Sequence, residues 1–152
     1  MTDDVAVEIE AVDHIGIRVR ELERALAFYR VLGFTLAHKV THDAVAIIVN
    51  PAGLEINLIY NADAGDGARN ILMDVPGKHP GYTHVALRVG SIAETMAALK
   101  AHGIAITQGP VTFGDGRVSV FVRDPDRNVI ELRGRGQEDG GVAFYVNEQQ
   151  DR

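Results

Sequence analysis

The sequence predicts an α+β protein built from two tandem βαβββ modules. Three observations carry that prediction. A segment of the chain recurs 70 residues downstream, each copy opens on an alternating apolar pattern, and each alternation gives way to apolar residues at helical spacing. The repeat is plainest in Asp13-His14-Ile15-Gly16-Ile17-Arg18-Val19 and Thr83-His84-Val85-Ala86-Leu87-Arg88-Val89. At the same offset Leu22 falls on Ile92, Leu26 on Met96 and Gly33 on Gly103. Farther on the offset becomes 74, and Pro51–Leu58 falls on Pro125–Leu132. The second copy therefore carries four extra residues, placed in the Gly- and Pro-containing stretch Gln108–Gly116.

The first strand spans Val12–Arg20, with Ile15, Ile17 and Val19 on one face and His14, Gly16 and Arg18 on the other. Leu22, Ala25, Leu26, Tyr29 and Leu32 then form a helical stripe that Gly33 ends. Strands follow near Thr35–Lys39, Val45–Val49 and Leu54–Tyr60. In the second copy, Tyr82–Val89 is the opening strand. Ser91 caps the helix, with Glu94 three residues on as a capping box requires, and Gly103 stops it. Its three strands lie near Ile104–Gln108, Val118–Val122 and Asn128–Arg133, and Asp124-Pro125-Asp126-Arg127 is a turn by composition. The chain thus reads as one domain, 1–152, made of modules 12–60 and 82–133, an irregular Gly/Asp/Asn-containing connector 61–81 and a polar tail 134–152. One apolar stretch in the tail, Val142–Val146, is a candidate extra strand or partner contact.

Composition narrows the function. With 46% hydrophobic and 24% charged residues the chain is an ordinary globular protein. The absence of cysteine excludes a thiol nucleophile, an iron–sulfur cluster and a Cys-type zinc site. A net charge of −6 without a Lys/Arg cluster argues against nucleic acid as a partner. The acidic start of the chain is unlike a signal peptide, and no apolar run reaches the roughly 20 residues of a membrane helix, so the cytoplasm is the expected location.

The repeat also picks out a constellation. The first and last strands of the two copies carry His14, Asn57, His84 and Glu131 at equivalent positions, all on the polar faces. Two imidazoles and a carboxylate form a ligand set for a divalent ion such as zinc, nickel, cobalt, manganese or ferrous iron. The fourth donor is Asn57 or, two residues earlier on the same face, Glu55. His38, His42, His79 and His102 lack this symmetry and read as surface residues.

At these residues the chain resembles the vicinal oxygen chelate superfamily, which includes glyoxalase I, extradiol dioxygenases, fosfomycin resistance enzymes and bleomycin-binding proteins. The resemblance covers Val12–Arg133 and rests on Val12-Asp13-His14, Phe28-Tyr29 with Leu32-Gly33-Phe34, Gly81–Leu87, and Asp124-Pro125-Asp126 with Ile130-Glu131-Leu132. It implies a mixed sheet curled around a metal cleft, ligands from the first and last strands of each module, and a small-molecule substrate bound through adjacent oxygens. The pattern looks most like bacterial glyoxalase I. That likeness implies a lyase or isomerase with Glu131 as its base. It also makes Arg18 and Asn61 contacts for the glutathione part of a substrate adduct, with Arg88, the repeat counterpart of Arg18, as a third substrate-binding candidate. Asn57 departs from the pattern, standing where glyoxalase I has a glutamate ligand, and the loops after Phe34 are short. Two other functions stay open under the resemblance: a ferrous extradiol-type dioxygenase using His14, His84 and Glu131, and a non-catalytic antibiotic-binding protein. Members of the superfamily commonly pair modules within or between chains, which makes a homodimer the expected assembly.

Overall fold

The computed structural model describes residues 5–65, 69–136 and 145–146. The first module comprises β1 (Ile15–Arg18), α1 (Leu22–Val31), β2 (Thr35–Val40), β3 (Val45–Val49) and β4 (Glu55–Ile59). The second comprises β5 (His84–Ser91), α2 (Ile92–Ala101), β6 (Ile106–Thr112), β7 (Arg117–Arg123) and β8 (Val129–Arg135). A two-residue strand, β9 (Tyr145–Val146), pairs in parallel with β6. It takes the end of the apolar tail stretch; Val142, Ala143 and Phe144 lie outside the described residues. Among those residues no helix is long and apolar enough to cross a membrane.

The expected α+β order is present twice, and each module builds its own mixed sheet. The orders are β1-β4-β3-β2 and β5-β8-β7-β6-β9, so β1 and β5 are sheet edges. In each module the first and last strands run parallel and the rest antiparallel. The helices end where the repeat requires: Gly33 and Gly103 follow at φ of 92° and 69°. Ser91 Oγ accepts the Glu94 N–H at 3.2 Å, closing the start of α2.

Three of the boundaries that differ from the sequence expectation can be traced to local features. The opening strand is shorter, and residues 5–12 ahead of it are wholly exposed. β6 reaches Thr112 because register shifts on both sides of Gln108 absorb extra residues of the second copy as bulges. β8 runs on to Arg135 because Gly134 passes close to the Val89 backbone, where a Cβ would meet the carbonyl oxygen at 2.5 Å.

A single hydrophobic core joins the modules. Ile17, Val19, Ile48, Ile56 and Leu58 of the first sheet enter the same cluster as Leu87, Val120, Ile130 and Leu132 of the second, together with residues of both helices. These are the strand faces opposite Asn57 and Glu131. The sheets therefore turn the faces that carry Asn57 and Glu131 away from the shared core. Polar contacts lock the junction. Buried Tyr29 donates to Asp124 Oδ2 at 2.8 Å, and Asp126 accepts from Arg20 and Arg24 at 3.2 and 2.8 Å. Asp124 Oδ1 also accepts the backbone N–H groups of Asp126 and Asn128, which shapes the Asp-Pro-Asp turn. The connector holds no helix or strand among its described residues, but it is tethered: Asp74 pairs with Arg123 and Arg127 at 3.1 and 2.7 Å.

Candidate functional site

Sheet register fixes the equivalence that the repeat suggested. Gly16 sits opposite Asn57 in the parallel pair β1/β4, and Ala86 sits opposite Glu131 in the parallel pair β5/β8. Alternation then puts Glu55, Asn57 and Ile59 on the outer face of β4, and Val129, Glu131 and Arg133 on the outer face of β8. His14 lies just ahead of β1, and His84 opens β5.

In the first module His14 Nδ1 lies 2.7 Å from Asp13 Oδ1 and 3.8 Å from Glu55 Oε2. One donor atom from each of these three residues falls within 4.8 Å of the others. Glu55 reaches His14 with the strand in its repeat register, because it stands one row nearer the start of β1 than Asn57 does. Asp13 was not singled out from the sequence; its only signal there is its place beside His14. Asn57 Oδ1 is buried and has no hydrogen-bond partner. A buried acceptor left this way costs about 1–3 kcal/mol, so the position favours a donor or a cation. Arg18 Nε donates to Asn61 Oδ1 at 3.1 Å, which unites two of the substrate-binding candidates.

In the second module Glu131 is only 7% exposed. Ser119 donates to its Oε2 at 2.7 Å, and His84 Nε2 lies 3.1 Å from its Oε1. Thr83 Oγ1 lies 2.8 Å from the other ring nitrogen of His84, and Phe121 meets that ring edge-on at 5.8 Å. The group opens into a cavity of about 640 Å³ whose walls include Met73, Phe113, Phe121 and Val129 along with Arg123, Arg127 and Arg133. Arg88 is exposed opposite Arg133 in the register, beside a smaller cavity of about 210 Å³ that Leu54 and Leu132 also line. Sequence reasoning missed Ser119 and the cavity arginines. Alternation along β7 and β8 places Ser119 and Arg133 on the Glu131 face, and that pattern was the available signal. His38, His42, His79 and His102 are all exposed.

The candidates thus form two separate groups, one on each outer face. Among the described residues, the only three-residue group of potential ligands brought within 4.8 Å is Asp13, His14 and Glu55; His84 and Glu131 belong to none. The donors fit a divalent ion in kind: imidazole nitrogens, carboxylate oxygens and one orphaned amide oxygen. They also fit in spacing within the second group. Two donors bound to one ion at about 2.1 Å stand roughly 3.0–3.4 Å apart, which matches the His84–Glu131 separation.

Comparisons with known proteins point to one family. The family model described as Glyoxalase/Bleomycin resistance protein/Dioxygenase superfamily matches residues 11–132. A protein of Vibrio cholerae described as a probable lactoylglutathione lyase is 30% identical over 139 residues, 85% of this chain and 94% of its own length. Among solved structures, a glyoxalase family protein from Bacillus cereus superposes with a TM-score of 0.64 at 19% identity, covering 86% of this chain and 97% of that one. A genomically encoded fosfomycin resistance protein from Listeria monocytogenes gives a TM-score of 0.63 at 18% identity, with coverage of 84% and 94%. The last two show a shared fold. With the family model spanning both modules and both groups, the chain belongs to the Glyoxalase/Bleomycin resistance protein/Dioxygenase superfamily.

Proposed function

We propose that this protein is a divalent-metal-dependent lyase or isomerase of glyoxalase type, acting in the cytoplasm on a small molecule with adjacent oxygens. The observation that carries the reading is the buried Glu131 carboxylate, held between Ser119 and His84 at the wall of a cavity large enough for such a substrate. His14, His84 and Glu131 would hold the ion, with Glu55 or Asn57 as the fourth donor. When bound, it supplies Lewis-acid polarisation of the substrate oxygens.

Glu131 moves the proton. It takes a hydrogen from one carbon of the adjacent pair and returns it to the other, so the isomerisation consumes no co-reactant. Ser119 fixes the carboxylate by donating to one oxygen and leaves the second toward His84. Phe121 and Val129 keep water from the reacting carbons. Arg18 and Asn61, already joined to each other, take the carboxylate-bearing end of a glutathione adduct, and Arg88 lies at the corresponding place in the second module.

A second copy of the chain completes each site. Two features support this: the ligand faces point away from the common core, and β1 and β5 are sheet edges able to meet a partner. A two-fold dimer then brings the first module of one protomer to the second module of the other, twice.

Metal analysis with an isomerase assay tests the reading. The expected result is one divalent ion per chain and isomerisation of the methylglyoxal–glutathione adduct, both lost in His84→Ala and Glu131→Ala. Protein that carries no stoichiometric ion overturns it. So does oxygen uptake with catechol and ferrous iron in place of isomerisation.

A further inference from the structure

The cavity beside Glu131 holds three arginines, and their partners differ in a telling way. Arg123 and Arg127 share Asp74, whose side chain is 16% exposed, and Arg123 Nη1 also donates to the Arg127 carbonyl at 2.9 Å. Their shared carboxylate is largely buried, one negative charge for two positive. Arg133 is different. Its ionic partner, Asp115, sits in the turn between β6 and β7 with 51% of its side chain exposed, while Arg133 itself is 23% exposed. The face of the guanidinium lies over the Phe113 ring, 5.6 Å from its centre. Nη1 donates to Ser119 Oγ at 3.1 Å, and that hydroxyl in turn donates to Glu131.

The turn that supplies Phe113 and Asp115 lies in Gln108–Gly116, the stretch to which the four extra residues of the second copy were assigned. The first module has no counterpart of this pairing. Arg133 and Glu131 share one face of β8, two residues and about 7 Å apart. A molecule whose reacting carbon rests at Glu131 therefore extends its far end to Arg133.

We propose that Arg133 is a specificity-determining residue for a second anionic group on the substrate, and that Asp115 is a built-in stand-in which that group displaces. This rests on the cavity being the substrate site, as argued above, and adds the class of substrate: a 2-oxygenated compound with a carboxylate or phosphate at its far end. Three observations support the exchange. Arg133 is oriented in advance by Ser119 and Phe113, so its fork is ready for a planar or tetrahedral oxyanion. Asp115 reaches it from an exposed turn with about half of its own side chain in solvent, so it can move aside into water. The backbone N–H of Arg117 and the Arg133 guanidinium hold the Asp115 carboxyl below the usual carboxylate range, so it is ionised at neutral pH and can imitate an incoming anion.

The test is a binding titration that does not depend on turnover. The full-length protein is titrated by calorimetry with two matched pairs: 2-hydroxyglutarate against 2-hydroxybutyrate, and 3-phosphoglycerate against glycerate. The members of a pair differ in the distal anion, and the two pairs separate carboxylate from phosphate as its source. A charge-assisted contact gives the member with the distal anion an advantage of about tenfold or more in at least one pair. Arg133→Gln abolishes that advantage and Arg133→Lys keeps part of it. Asp115→Asn, an exposed change with little risk to folding, enlarges it. The proposal is overturned if the wild type prefers neither distally charged compound, if Arg133→Gln keeps the preference, or if Asp115→Asn leaves it the same or smaller. Loss of isomerase activity alone, with these binding differences intact, refutes the proposed reaction and not the anion subsite.

Discussion

Mixing two inactive variants tests how the half-sites combine. His14→Ala breaks the first-module half and leaves the second intact; Glu131→Ala does the reverse. In a two-fold dimer with shared sites, each homodimer has two damaged sites. The mixed dimer has one site with both lesions and one with neither. Random exchange of equal amounts makes about half the dimers mixed, and each has one whole site of two, so activity recovers to about a quarter of the wild-type value per protomer. The assay is adduct isomerisation after subunit exchange, with native mass spectrometry to confirm mixed dimers. Metal content should rise in the same proportion. If mixed dimers form and activity stays at the level of the separate variants, the sites do not span the interface and the reasoning from outward-facing sheets is wrong.

Two further outcomes concern the frame that holds the half-sites. Tyr29→Phe removes a buried donor to Asp124 at the module junction and should cost about 1–3 kcal/mol, a melting-temperature drop of several degrees in thermal unfolding followed by circular dichroism. The Asp74 tether should make stability fall in acid. Hydrogen bonds from Arg127 first, then from the Asn70 backbone and Arg123, hold its carboxyl well below the ordinary range, against a smaller opposing effect of burial. A lowered folded-state pKa contributes stability that is present above the unfolded value near about 4 and is lost as pH falls toward the folded value. Melting temperatures recorded from about pH 6 down to pH 2 should therefore decline more steeply for the wild type than for Asp74→Asn. Parallel declines would show that Asp74 does not carry this dependence.

Much of the fold could be read from the chain because its two periodicities are unambiguous. Alternation in Ile15–Val19 and Val85–Val89 marked strands and their inner faces, and the 70- and 74-residue offsets reappear as the pairings Gly16–Asn57 and Ala86–Glu131. What could not be read is what covers each inner face. An apolar stripe says that a surface is buried but not against which module, and so the packing of two separate sheets on one core was invisible. The nearness of Glu55 to His14 was hidden for a related reason. It depends on where β1 begins relative to β4, a parallel register set by the helix crossover, and no local motif reports it. Ser119 and Arg133 escaped notice because they lie among buried apolar neighbours on β7 and β8 and have no partner in sequence; only cross-strand pairing joins Ser119 to Arg133. The Asp74 tether left no trace in the composition of its connector.

The outward-facing half-sites have a thermodynamic consequence. If the two-fold dimer proposed above forms, neither half alone presents the full set of donors, so an ion bridging them would bind the assembled pair and not the separate chains. Metal affinity and subunit association are then one linked equilibrium. In such a dimer, diluting the protein would weaken its hold on the ion, and withdrawing the ion would loosen the dimer. An apparent metal dissociation constant would then have meaning only alongside the protein concentration at which it was measured.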